Sequence, residues 1–163
     1  APHRYLKVDR ITVSAPGTGQ VLLSDVSFEV MAGKAVGIIG PSGGGKTTLV
    51  RALTGIWPCL RGSVRLDGAE LEQWPEEDLG WAVGYLPQEV GLLDATVEEN
   101  ISRLAEYEDS RGIIAAAEAA GIHDMIVKLP AGYRTPLGPQ GAAISAGQRQ
   151  RIGLARALYG NPF

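Results

Sequence analysis

The spacing of apolar and polar positions changes period along the chain, and each change predicts an element. Leu6 and Val8 alternate with Lys7 and Asp9, the two-residue period of a strand. Ile11 and Val13 continue in the opposite phase, so the strand carries a bulge or a break. Residues 14–20 are a loop by composition, and Val26, Phe28 and Val30 alternate with Ser27 and Glu29 as a second, half-buried strand. After the Ala32-Gly33 turn, Ala35–Ile39 is apolar without alternation, the pattern of a strand buried on both faces. From Lys46 the period becomes helical. Leu49, Val50 and Leu53 share a face, Gly55 stands at the C′ position, and Trp57-Pro58 ends the element. Val64 and Leu66 alternate with Arg65 and Asp67 ahead of an Asp67-Gly68 turn, and Val83–Leu86 is a short apolar strand closed by Pro87.

Beyond Gln88 the patterns are helical. Thr96-x-x-Glu99 is a capping box opening a helix over Val97–Leu104. Ser110–Ala120 is an alanine-rich helix ending at Gly121, and Ile122–Leu129 a short helix stopped by Pro130. Residues 130–143 read as loop. Ser145-x-x-Gln148 is a second capping box, and Ile152, Ala155 and Leu158 carry its helix to about Tyr159. Strands with one helix therefore fill residues 1–87, helices dominate 88–163, and no internal repeat is evident.

Composition narrows the class. With 163 residues, 45% hydrophobic, one domain can bury a core. A net charge of −3 argues against a nucleic-acid partner. The single cysteine, Cys59, excludes an internal disulfide framework and carries no motif, and two histidines offer little for zinc. No apolar run reaches a membrane span, and Arg4, Lys7, Asp9 and Arg10 interrupt any signal peptide, so a soluble, cytosolic domain is expected. The start at Ala1 and the end at Phe163 read as cuts in a longer polypeptide.

The sharpest chemistry lies in Gly40-Pro41-Ser42-Gly43-Gly44-Gly45-Lys46-Thr47, with Thr48 following, which fits G-x-x-x-x-G-K-[ST] between a buried strand and a helix. The glycines let successive backbone N–H groups turn toward one phosphate, and the helix N-terminus points its positive end at the same place. Lys46 reaches the outer phosphates and Thr47 ligates Mg²⁺. The motif implies a nucleoside triphosphate and leaves the family open.

Ile144-Ser145-Ala146-Gly147-Gln148-Arg149-Gln150-Arg151 resembles the L-S-G-G-Q signature of ATP-binding-cassette (ABC) ATPases, with Ala146 in place of the first glycine. The helix that follows it is similar to the family's, and Tyr85-Leu86-Pro87-Gln88 resembles the family's Q-loop. The resemblance covers essentially the whole chain. It implies an α/β P-loop NTPase fold, a RecA-like parallel core with an antiparallel β subdomain and an α-helical subdomain. It implies ATP and Mg²⁺ as cofactors, Lys46 and Gln88 as catalytic, and Thr47 and Gln88 toward Mg²⁺. Residues 40–48 would bind the nucleotide of the same subunit, and Ser145, Ala146, Gly147 and Gln148 that of a second subunit in a head-to-tail dimer. Ser145 and Gln148 would also serve as a plain helix cap.

Finer likenesses point to exporters. Gly55-Ile56-Trp57-Pro58, Leu66-Asp67-Gly68-Ala69, Gln73-Trp74 and Gly84–Gln88 are similar to runs in the bacterial type I secretion group, and Leu129–Tyr133 and Gln140–Ala142 support an exporter. That implies a transmembrane domain in the same transporter, a membrane fusion protein, an outer-membrane channel, and a place at the cytoplasmic face of the bacterial inner membrane. Rival readings are a cassette module of translation or DNA repair, and a P-loop kinase, which Ser145–Arg151 disfavours.

The chain also departs from the family pattern. The family's apolar strand ending in Asp-Glu, which holds Mg²⁺ and polarises the attacking water, is expected beyond Phe163, as is the switch histidine. That strand would lie between Ala35–Ile39 and Val83–Leu86, so the chain alone is expected to be inactive. Val90–Asp94 reads instead as the loop after the Q-loop. No aromatic residue occurs in Thr12–Gln20 to stack on adenine, Tyr5 being the nearest, and Pro139 stands where exporters carry an acid. His123 reads as a surface residue.

Overall fold

The computed structural model describes residues 2–105 and 109–163. They form two compact units, one running to Gly80 (joined by Phe163) and the other spanning Trp81–Pro162, rather than dividing at 87/88.

The first unit is built on a four-stranded antiparallel sheet of order β2-β1-β3-β4. Its strands are β1 (Tyr5–Ser14), β2 (Val21–Met31), β3 (Arg61–Leu66) and β4 (Ala69–Glu70). The phase change in β1 is a bulge. Val8 faces Phe28 and Ile11 faces Val26, with the register shifting between them, and Arg10 sits at φ 45°. The bulge turns Val8, Ile11 and Val13 to one side, where each is at most 2% exposed. Opposite it, Gly62 has φ 75°, and a Cβ there would collide with the carbonyls of Asp9 and Arg10. Asp67 and Gly68, both at positive φ, make the two-residue β3–β4 turn. The Asp67 carboxylate accepts the backbone N–H groups of His3, Arg4 and Tyr5 at 2.8–2.9 Å, which ties the start of β1 to that turn.

Helix α1 (Lys46–Leu53) packs on β1 and β2 through Thr48, Leu49 and Ala52 and ends with Gly55 at φ 74°. Helix α2 (Glu76–Ala82) was not legible in the hydrophobic pattern. Its signal is chemical: Pro75 immediately before three acids, Glu76, Glu77 and Asp78, in the first turn.

Two expected strands do not form. Ala35–Ile39 pairs with no described strand, and Val36 is 52% and Ile39 96% exposed. An apolar run becomes a buried strand only beside a ladder partner, and the sheet sets none next to it. Val83–Leu86 is likewise unpaired. The parallel core is thus not laid down as a ladder among the described residues, while the antiparallel sheet, the loop-to-helix junction and the helical part are.

The second unit packs α3 (Val97–Ile101) and α4 (Ser110–Ala119) on α6 (Ala146–Leu158), with α5 (His123–Ile126) beside α4. Val97, Ile101, Ala117, Ile122, Ile126 and Ile152 form its core. Both capping boxes are made, Thr96 with Glu99 and Ser145 with Gln148. Helix α3 stops earlier than expected because Arg103 and Leu104 both take positive φ. Buried Asn100 accepts from Leu93 N–H at 2.9 Å and donates to the carbonyls of Leu93 and Thr96, which ties down the loop before α3. His123 is half-buried rather than a surface residue, with Nδ1 2.8 Å from Tyr133 Oη.

Candidate functional site

In the first unit, residues 40–45 turn tightly into α1. Gly43 and Gly45 lie at φ 77° and 82°, a left-handed conformation that costs an L side chain about 1–2 kcal/mol. Gly44 N–H donates to Pro41 O at 3.1 Å. A Cβ on Gly45 would lie 2.6 Å from Leu23 Cδ2 and 3.3 Å from Leu22 O, so this glycine lets the loop rest against β2. Lys46 Nζ donates to the carbonyls of Gly40 and Pro41, both at 2.7 Å, folding the ammonium across its own loop. Gly40, Pro41, Ser42 and Thr47 are exposed and Thr48 is buried.

This geometry fits an anion. The N-cap of α1 is a glycine, so no side chain bonds the helix's first N–H groups, and its first turn holds no acid. Thr47, at the same terminus, is exposed. Among the described residues no group of three or more His, Cys, Asp or Glu could hold a metal.

Gln88 and the 145–148 run lie in the second unit. Gln88 is exposed in a bend. At the start of α6, Gln148 N–H donates to Ser145 Oγ at 3.3 Å and Ser145 N–H donates to Gln148 Oε1 at 2.8 Å. Ser145, Ala146 and Gly147 are exposed, a Cβ on Gly147 would meet nothing within 4 Å, and the first turn carries no acid. The box fixes the start of α6 and leaves the face at Gly147 open. The segment after Val83 lies along α6: Leu86 and Val90 close on Gly153, where a Cβ would lie 2.5 Å from Val90 Cγ1, and Arg156 Nη2 donates to Gly91 O at 3.0 Å.

No aromatic residue stands between Thr12 and Gln20, and Tyr5 lies at the far end of β1, its hydroxyl beside Gly68. The chain's own apolar surface next to the loop is aliphatic, Val21 and Leu22 being 50% and 38% exposed. A cavity of about 520 Å³ elsewhere in the first unit is lined by Trp57, Cys59, Glu72, Trp74 and neighbours. Burial, then Glu72, pushes the Cys59 thiol pKa up, so it is a poor nucleophile.

Residues 23–163 match the ABC transporter family. The chain is 54% identical over 162 residues to the type I secretion system ATP-binding protein PrsD of Rhizobium meliloti, covering 99% of this chain and 28% of that protein. It is 38% identical over 144 residues to human ATP-binding cassette sub-family B member 6, covering 88% of this chain and 17% of that protein. A solved bacterial Atm1-family ABC exporter with ATP bound superposes with a TM-score of 0.85 at 34% identity, over 98% of this chain and 28% of that one. The chain therefore spans less than a third of each of these proteins. No described helix is long and apolar enough to cross a membrane.

Proposed function

Because the chain belongs to the ABC transporter family, we propose that it is the ATP-binding part of an exporter's ATPase and works in bacterial type I protein secretion. The observation that carries the reading is the junction at Gly45–Lys46. There a helix N-terminus without a side-chain cap, two left-handed glycines and a folded lysine converge. Identity of 54% to a type I secretion ATP-binding protein supports the finer class.

In this reading the N–H groups of residues 43–48 bind the phosphates of ATP, and Lys46 leaves its two carbonyls to neutralise the outer ones. Thr47 ligates Mg²⁺ and Gln88 reports its presence. Magnesium, when bound, screens the charge that builds on the phosphates during transfer. Ser145 and Gly147 offer the start of α6 to the nucleotide of a second subunit, head to tail. The aspartate that would help hold Mg²⁺ and the glutamate that would polarise the attacking water are assigned to a part of the polypeptide other than this chain. The transmembrane domain, a membrane fusion protein and an outer-membrane channel complete the proposed machine, with this domain at the cytoplasmic face of the inner membrane.

Steady-state phosphate release by the full-length protein in liposomes tests this. Hydrolysis dependent on Mg-ATP and abolished by Lys46→Ala is expected. Hydrolysis that survives the substitution would remove the loop from the reaction.

A further inference from the structure

The far end of α6 carries an arrangement that the nucleotide contacts do not use. Helix C-termini leave their last carbonyls without intrahelical partners. Here Tyr159 follows α6 in extended backbone, φ −62° and ψ 135°. The free carbonyls are met by a side chain from another helix's end. Arg103 Nε donates to Arg156 O at 3.0 Å, and its Nη2 reaches Ala157 O at 3.4 Å and Tyr159 O at 3.3 Å. A planar guanidinium can span three carbonyls in this way, whereas an ammonium is a point donor. Its charge also suits the negative end of the helix. Arg103 takes φ 60° to place it, a strained backbone for a side-chain-bearing residue.

The inner face of α6 makes this stop consequential. Its buried positions are Ile152, Gly153, Ala155 and Ala157, so Ile152 alone bears a side chain larger than a methyl group. Apart from the seat of Leu86 and Val90 on Gly153 and partly buried Leu154, this face has few side chains to interlock with its neighbours, so bonds at the helix ends carry more of its axial placement. In the N-terminal half, the bonds of Arg149 run to Gly141 O and Ile144 O, in the loop that leads into the helix and travels with it, and the bond of Arg151 Nη1 to Gly121 O at 3.2 Å joins two solvent-exposed residues. The part-buried grip on α6 from a distant element is at its C-terminal end, where Arg103 holds three carbonyls, with the Arg156–Gly91 bond beside it. A 13-residue helix is rigid over its roughly 20 Å, so a displacement there reappears at Ser145 and Gly147.

We propose that Arg103 is a positioning residue: by holding the C-terminal carbonyls of α6 it sets where Ser145 and Gly147 stand toward the second subunit's nucleotide. The inference rests on the ATPase reading above. Misplacement of an active group by about 1 Å can cost on the order of 100-fold in rate, so a large effect follows from a contact remote from the chemistry.

The test uses the full-length protein with Arg103→Met, which keeps the apolar stem and removes the donors, and Arg103→Lys, which keeps the charge. Hydrolysis is measured below each variant's melting temperature, and nucleotide affinity with a fluorescent ATP analogue. Arg103→Met should lower kcat about 10-fold or more with affinity within about twofold of the parent's, because the Lys46 loop is untouched. Arg103→Lys should fall between them. Unchanged kcat in both variants, or affinity falling in step with kcat, overturns the proposal. If Arg103→Met does not fold, Arg103→Lys decides alone.

Hydrogen exchange gives a readout independent of activity. In Arg103→Lys, exchange should rise by about threefold or more across Ser145–Gln150 as well as in the last turn. A rise confined to the last turn overturns the positioning role even if the parent does not hydrolyse ATP. Absence of Lys46-dependent hydrolysis in the parent, by contrast, counts against the ATPase reading.

Discussion

Lys46 Nζ lies 2.7 Å from the carbonyl oxygen of Gly40, so the lysine at the start of α1 closes over the loop that precedes it. The ammonium has three donors, and Gly40 and Pro41 take two of them. Exchanging two neutral carbonyls for phosphate oxygens is favourable because bonds between charged partners are stronger. Lys46→Ala should weaken Mg-ATP binding by about 10- to 100-fold, the equivalent of one charge-assisted bond at about 1.5–3 kcal/mol. Calorimetry on the full-length protein checks it, and an unchanged affinity would show that the triphosphate is held elsewhere.

Gly45→Ala should be damaging for a different reason. The residue holds φ 82°, and a Cβ would press on Leu23 and on the Leu22 carbonyl. The left-handed backbone alone costs about 1–2 kcal/mol, and each kcal/mol shifts the melting temperature of a domain this size by about 2–4 °C. A lowered melting temperature together with weaker nucleotide binding is expected; a variant with both unchanged would mean the loop adopts another path.

Ser145→Ala removes one half of the capping box on α6. The loss of helix stability should be about 1 kcal/mol. Nucleotide binding by separated subunits should stay intact, because the serine serves the other subunit's ATP. ATP-driven dimerisation of a hydrolysis-blocked full-length protein, followed by light scattering, should fall. Abolished binding in the monomer would contradict the head-to-tail arrangement.

Acid should loosen the start of β1. Burial raises the pKa of Asp67, but backbone N–H bonds from His3, Tyr5 and Arg4 outweigh it and hold the carboxyl below its usual value. A depressed folded pKa stabilises the fold fully above the unfolded value, about 3.9, and that stabilisation is lost as pH falls through the folded value. Melting curves between pH 7 and pH 2 should show Asp67→Asn less stable than the parent at neutral pH, the gap narrowing below pH 4. A pH-independent gap would mean the carboxylate's charge is irrelevant.

The 163-residue chain on its own should release phosphate at background rates and self-associate through Ala35–Ile39, whose backbone has no strand partner among the described residues and whose Ile39 is 96% exposed. Ile39→Lys should reduce that association in size-exclusion chromatography. Lys46-dependent turnover near 1 s⁻¹, about the slow end of ordinary enzymes, would show that a carboxylate of this chain acts on the water.

What the sequence determined by itself was local. The loop at 40–47, both capping boxes, the Asp67-Gly68 turn and the bulge between Val8 and Ile11 each depend on residues a few positions apart. Short-range sterics and hydrogen bonding decide them wherever the segment lies. Tertiary structure decided everything that needed a distant partner. Ala35–Ile39 and Val83–Leu86 have strand composition, yet without a ladder beside them neither is a strand, and Leu86 instead closes on Gly153. Asp67 reads as a turn residue until the backbone of His3–Tyr5, more than sixty positions away, arrives to use its carboxylate. Arg103 carries no motif at all. Its role exists only because the chain brings it to carbonyls more than fifty residues later, and no pattern within one helix can encode a bond between the ends of two.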